Sequence, residues 1–203
     1  PVIPATAYAS SDHPYGGGTR PPANVVNNSG MSDQDADGVP ETHEANAYGD
    51  GINWMSNDLG TDLDPWLALD FGEVVPLDMM KVWNFNAEAG RTDRGVGTAD
   101  VYVSILDDVG IADPDFSDTA VWTLLKQAQA FTAATGLDDY DTPDVIGLDG
   151  ASARWLALDI QSTQGSTSFV GLSEIQVFRV PEPATLSLLA LGGLGLIARR
   201  RRR

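Results

Sequence analysis

The pentapeptide Trp-Leu-Ala-Leu-Asp occurs twice, at 66–70 and again at 155–159. On an extended chain, side chains alternate between two faces. Each copy therefore sets its two leucines on one face and its tryptophan and alanine on the other. That is the pattern of a core strand, and two core strands with the same inside-outside arrangement converge on one sequence without being a tandem repeat. Trp66–Phe71 and Trp155–Ile160 are accordingly expected as strands, as are Met79–Phe85, Ala99–Leu106 and Gly171–Val180. Val2–Ala9, rich in β-branched and aromatic residues, reads as a first strand, and Ser10–Asp50, heavy in Gly, Asn, Asp and Pro, as a long loop. Val121–Phe131 has the Leu, Lys, Gln and Ala content of a helix, yet its setting among strands favours a strand. Period-two runs separated by turn residues predict an all-β sandwich.

The other end of the chain imposes a different constraint. Ala184 to Ala198 carries no charge, and Arg199 to Arg203 follow at once. As a helix the run spans about 22 Å, short of the roughly 20 residues of a comfortable bilayer crossing; snorkelling arginines make up part of the deficit. Five cations resist translocation, which keeps the carboxyl terminus cytoplasmic and everything before it outside. A plain single-span anchor is one reading of this tail. Just upstream, however, stand Pro181, Glu182 and Pro183, a stiff non-helical triplet that a protease can read. Triplet, apolar run and arginine cluster, in that order, resemble the PEP-CTERM sorting signal. The resemblance implies recognition by an exosortase, a membrane protease-transpeptidase of Gram-negative bacteria that make exopolysaccharide, with cleavage near the triplet. It implies a precursor held in the inner membrane through 184–198, then release or re-anchoring at the cell surface or in the extracellular matrix.

Composition suits life outside the cell. There is no cysteine, so neither disulfides nor thiol chemistry are available. The net charge of −17 understates the acidity of the main body: without the five terminal arginines, 7 basic residues face 29 acidic ones. Such a surface repels nucleic acid and anionic lipid and favours divalent cations and solubility at high salt. A salt-tolerant source would account for it without any binding function. The chain opens on proline and shows no secretory signal peptide, and the expectation is a precursor with a longer amino terminus.

WLALDFG at 66–72, RWLALDI at 154–160 and VGLSEIQVF at 170–178 together resemble the discoidin, or coagulation factor 5/8 type C, superfamily. ATAYASS at 5–11 and NNSGM at 27–31 fit that family's opening strand and first loop. The resemblance implies a galactose-binding-like jelly-roll over 1–180, with 181–203 as the sorting signal. Segment 107–152 departs from the compact pattern by its length and acidity. Such folds mostly bind through loops at one end of the sandwich. WNFN at 83–86, leading through Glu88 to Arg94 and Gly95, resembles a bacterial sugar-binding subgroup of the superfamily, whose pattern also places a histidine where His43 stands. Asn84 and Asn86 lie two apart and share a face, where they can donate to and accept from neighbouring hydroxyls. Arg94 offers a planar fork, and Trp54 or Trp83 a ring to stack on a sugar. The competing reading makes Trp83 core and the asparagines turn caps.

Asp33, Asp35, Asp37 and Gly38, then five residues and Glu44, match the D-x-D-x-D-G-x5-E calcium template. Calcium takes six to eight oxygens; the Val39 carbonyl would supply the backbone ligand and Glu44 would close the site. Neither flank is an amphipathic helix, and Pro40 makes the segment resemble the helix-free calcium loops of secreted bacterial proteins and thrombospondin type 3 repeats. The alternative is a solvated acidic insertion. His43 cannot serve both as a sugar contact and as neighbour of the closing glutamate.

No G-x-S-x-G elbow, H-E-x-x-H or phosphate loop is present, and two histidines build few triads or zinc sites. A non-enzymatic, calcium-supported module that binds glycan is thus the expectation, with exopolysaccharide as the glycan that the sorting-signal resemblance implies. A purely structural matrix protein and a glycan-acting enzyme are the alternatives.

Overall fold

A computed structural model describes residues 2–15, 18–33, 39–45, 51–88 and 90–181. The strands are β1 (Thr6–Ala9), β2 (His13–Tyr15), β3 (Gly18–Arg20), β4 (Met31–Ser32), β5 (Thr42–His43), β6 (Trp54–Met55), β7 (Trp66–Asn84), β8 (Val96–Ser104), β9 (Thr123–Ala130), β10 (Asp144–Gly147), β11 (Ser152–Thr163) and β12 (Gly171–Arg179). Among the described residues the only helical turns are two short 3-10 turns, Pro22–Val25 and Arg91–Arg94. The expected apolar helix at 184–198 lies outside the described residues.

The two Trp-Leu-Ala-Leu-Asp copies are hydrogen-bonded neighbours. β11 runs antiparallel to β7 with Trp155 opposite Asp70, Leu156 opposite Leu69, Ala157 opposite Ala68, Leu158 opposite Leu67 and Asp159 opposite Trp66. All four leucines point into the main core and are at most 1 % exposed. Burying each contributes about 2 kcal/mol relative to an exposed position. The tryptophans and alanines form a second apolar layer on the outer face.

β7 is one strand where two were expected. Its first half pairs with β1 and β11, and its second half with β10 and β12. The ladder with β11 is interrupted at Gly72, whose φ of 75° suits glycine and whose N–H donates to the Asp70 carboxylate at 2.8 Å, and resumes at Val75 and Pro76 before the chain passes to β12 at Leu77. One sheet is therefore β1-β7-β11-β8-β9 and the other β6-β12-β7-β10, sharing β7 across the corner. This is an all-β jelly-roll sandwich with a single apolar interior.

Strand directions define two ends. At the upper end stand Asn84, Val96, Thr163 and Gly171; at the lower end stand Gly72–Pro76, Ser104, Ala151 and Arg179. The nine residues of β12 separate them by roughly 26 Å.

Three regions read differently from the sequence expectation. Ser10–Asp50 is not simply a loop, since its described part contains the hairpins β2–β3 and β4–β5 and the turn at Pro22–Val25. β10 comes from a polar stretch with no period-two signal and pairs along the edge of β7. Within the long acidic segment, Val109, Ile111, Phe116, Val121 and Trp122 fold over Trp66 and Trp155 and cover the outer face. Its aspartates serve local turns: Asp108, Asp115 and Asp118 each accept from the backbone N–H two residues on, at 2.9 Å. β9 is a strand, as expected against its helical composition, because β8 offers it a free edge.

Candidate functional site

The residues of the W-N-x-N motif are present at the upper end, but their side chains point inward. Asn84 is fully buried. Its Nδ2 donates to the Val96 and Thr132 carbonyls at 2.8 and 2.9 Å, and its Oδ1 accepts from the Phe85 and Val96 N–H groups at 2.9 and 2.8 Å. Gly95 follows from this clamp, since a Cβ there would lie 2.5 Å from the Asn84 Oδ1. Asn86, also fully buried, donates to the His43 and Leu137 carbonyls at 3.2 and 2.8 Å and accepts from the Gly136 N–H at 2.8 Å. The two asparagines share a face as expected, and that face is spent on backbone groups of the surrounding loops. Asn84 has no hydrogen-bonding capacity left for a sugar hydroxyl in this conformation, and Asn86 has both amide hydrogens donated and is fully buried.

The expected stacking rings are likewise core. Trp54 is fully buried and donates from Nε1 to the Ser11 carbonyl at 3.0 Å. Trp83 packs with Ala134 and Tyr140 and donates to the Glu41 carbonyl at 3.1 Å. His43 is fully buried too, its Nδ1 2.5 Å from the Glu44 carbonyl oxygen, and burial pulls its pKa down to about 4. It is a neutral packing residue at neutral pH and presents nothing to solvent. These residues build the floor of the upper end.

What that end displays is a different set, of which Arg94 alone was expected. Phe85, Met55 and Ala87 form a small apolar cluster against which half-buried Phe169 packs. Gly171 makes this packing possible, because a Cβ there would lie 2.4 Å from the Trp54 carbonyl and 2.6 Å from the Phe85 ring. The Arg94 guanidinium carbon lies 5.1 Å from the centre of the Phe169 ring, and its Nη1 is 3.7 Å from the Met55 sulfur. His13 meets the same ring edge-on at 4.9 Å. Arg20 stands 5.9 Å from the centre of the Phe85 ring. The 3-10 turn Arg91–Arg94 is tied to the loop before β12 by the Ser166 N–H donating to the Asp93 carbonyl at 3.0 Å. Half-buried His13, Arg94 and Phe169, from three separate chain segments, thus meet on one floor, with buried Arg20 beneath them against the Phe85 ring. Such a surface offers a ring to an apolar sugar face and planar donors to its oxygens. Glu88 is exposed in the turn preceding Arg91, and its backbone carbonyl accepts from the Arg91 N–H at 3.4 Å. His13 and Phe169 were missed because each is a single aromatic in a polar stretch; that isolation was the available signal.

The calcium motif is described only at its edges, as Asp35 and Asp37 lie outside the described residues. Met31 pairs with His43 and Ser32 with Thr42, so the ladder sets Asp33 and Glu41 at the next facing positions. The Glu44 N–H donates to the Gly30 carbonyl at 2.9 Å and the Glu41 N–H to the Ser32 carbonyl at 3.0 Å. Glu41 is therefore the acid nearest Asp33 in register, and Glu44 sits several residues back along the ladder. Asp33 and Glu44 are exposed and Val39 is half-buried. Among the described residues no three His, Asp or Glu side chains gather as a metal site would require. A separate buried acid is Glu174 on β12, 1 % exposed with no partner for its Oε2, and burial pushes its pKa up to about 8.

Pro181 is exposed and follows directly on β12 at the lower end, where the Val180 N–H donates to the Pro76 carbonyl at 3.0 Å. Glu182 and Pro183 lie outside the described residues.

Residues 179–203 match the family model of the PEP-CTERM protein-sorting motif. No curated protein matches the chain in sequence. Among solved structures, the lectin domain of lectinolysin complexed with Lewis B antigen is similar at 18 % identity and a TM-score of 0.52, over 87 % of this chain and 94 % of that one. The family 32 carbohydrate-binding module of Clostridium perfringens NanJ, in complex with galactose, is similar at 14 % identity and a TM-score of 0.52, over 87 % and 96 %. A Streptococcus pneumoniae fucose-binding module is similar at 15 % identity and a TM-score of 0.52, over 88 % and 95 %. The sandwich has the discoidin-like, galactose-binding-like fold, and its last residues, 179–203, carry the PEP-CTERM protein-sorting motif.

Proposed function

We propose that this protein is a non-catalytic carbohydrate-binding module displayed at the surface, or in the exopolysaccharide matrix, of a Gram-negative bacterium, with residues 1–180 as the module and 181–203 as the sorting signal. The observation that carries the reading is the upper-end cluster of His13, Arg20, Arg94 and Phe169. Half-exposed Phe169 supplies an apolar ring, the Arg94 guanidinium and the His13 imidazole lie against it, and buried Arg20 lies over the neighbouring Phe85 ring. The cluster is drawn from the β2–β3 hairpin, the 3-10 turn before β8 and the loop before β12, all at one end of the sandwich. Of the residues expected from sequence, Arg94 stays in the site, Glu88 borders it, and His43, Trp54, Asn84 and Asn86 support it from beneath.

Calcium is a second part of the proposal and rests on the Asp33, Asp35, Asp37, Gly38 spacing. With the hairpin register described, Glu41 is a better candidate than Glu44 for the closing carboxylate.

The test is binding of the full chain, held in mild detergent, to a glycan array with calcium and again with chelator. Binding to a defined sugar class that Phe169→Ala abolishes supports the module reading. A folded protein that binds no glycan leaves a structural role in the matrix. Binding that survives Phe169→Ala but fails on Asn86→Ala, with the fold intact, would return the site to the W-N-x-N motif.

A further inference from the structure

The ligand class of that site can be narrowed, on the reading that the site binds carbohydrate at all. Outside the arginine tail the chain has only seven basic residues: Arg20, Lys81, Arg91, Arg94, Lys126, Arg154 and Arg179. Their partners divide them. Lys126 pairs with Asp149 at 2.6 Å, and Arg154 pairs with Asp70 at 3.0 Å and Asp107 at 2.6 Å. Arg20, Arg91 and Arg94 lie at the upper end, and Lys81 rests over the Phe178 ring. Among the described residues no carboxylate lies within ion-pair distance of Arg94, whose guanidinium rests on Phe169 and the Met55 sulfur. In a chain with 29 acidic residues this is not for want of anions.

The electrostatics agree with the geometry. Arg94 is held below its ordinary pKa first by burial and then by Arg91, against the opposing pull of Asp93. His13 is likewise lowered, first by burial and then by Arg20 and Arg94, with Asp58 opposing. The cations of this end destabilise one another, and an oxyanion placed among them would relieve that repulsion. The acidic remainder of the molecule does not cancel this local field, because charges are screened beyond about 10 Å in 0.1 M salt.

We propose that the preferred ligand is a sugar bearing an oxyanion, a carboxylate or a sulfate, which accepts the Arg94 fork while the sugar ring lies against Phe169. Guanidinium and oxyanion match in planarity and spacing, and a charge-assisted pair is roughly twice as strong as a neutral one. The neutral sugars in the similar lectins are no precedent for this preference, which comes from the unpaired cation.

The experiment measures the affinity of the full chain in mild detergent for oligogalacturonate, its methyl ester, a sulfated galacto-oligosaccharide and the unsulfated counterpart. The expected result is at least about tenfold tighter binding of one charged ligand than of its neutral counterpart. Which pair shows it identifies the oxyanion. Arg94→Gln is expected to collapse that ratio towards one with an unchanged melting temperature, and Arg154→Gln is expected to leave the ratio as it was. Equal affinity for charged and neutral members overturns the anionic preference and leaves the carbohydrate reading standing. No binding to any of the four, nor to a broad glycan array, removes both.

Discussion

The two ends of the sandwich treat charge in opposite ways. At the lower end, Arg154 is bracketed by Asp70 and Asp107, and Asp70 also caps the turn at Gly72. These three side chains are consumed by one another and by the turn. At the upper end the polar groups that are consumed lie in the floor, namely Asn84 and Asn86, while Arg94 and the edge of Phe169 lie above it unspent. A scaffold satisfies its own hydrogen bonds; a binding surface keeps some capacity back. The difference teaches that burial and satisfaction, more than residue type, separate the two roles.

That contrast can be broken most sharply at Asn84. Asn84→Ala strands two backbone N–H and two backbone carbonyl partners and is expected to cost about 3 kcal/mol in denaturant unfolding. A cost under about 1 kcal/mol would mean that the residue is not scaffold. The next effect is on pH. Glu174 is raised to about 8, so the stability tied to its neutral form is complete below its unfolded value, near 4.5, and is lost as pH rises through 8. His43, lowered to about 4, acts oppositely: its contribution is present above about 6.5 and is lost as pH falls through 4. Glu174→Gln should therefore gain on wild type between pH 5 and 8, by on the order of 2 kcal/mol, in paired thermal melts. A pH-independent difference would show that the carboxyl is not held neutral.

Phe169→Ala should weaken glycan binding at least about tenfold, measured by titration calorimetry, with a smaller loss of stability because the ring is only half-buried. The smallest change is expected at the lower half of the molecule. Lys126→Ala removes an exposed ion pair with Asp149 and should cost about 0.5 kcal/mol or less, with no effect on binding. A binding defect there would mean that the ends are not independent.

Much of the sandwich was legible in the chain because its strands alternate strictly. The paired Trp-Leu-Ala-Leu-Asp copies show why: both faces of that ladder are apolar, one closed by the opposite sheet and one by Val109–Trp122. β10 was hidden because an edge strand of four residues needs no buried face of its own. The site was half legible. Asn84 and Asn86 were found, and their shared face was correct, but their partners at Thr132, Gly136 and Leu137 lie about fifty positions away. No local pattern reveals whether a polar side chain meets solvent or a distant loop. His13 and Phe169 come together only when β2 and the loop before β12 are folded side by side. The tail was readable in full, because its recognition depends on a linear order of residues and not on a tertiary contact.

The placement of β12 has a mechanical consequence. Phe169 stands just before this strand and Pro181 just after it, so a pull between a held ligand and the tail runs along its length. β12 is zipped antiparallel to β7 over Leu172 to Arg179, and the cross-strand bonds lie at right angles to such a pull. The load is shared by the whole ladder in shear, where peeling would break the bonds one at a time. A module strained between polysaccharide and envelope would grip through its strongest seam.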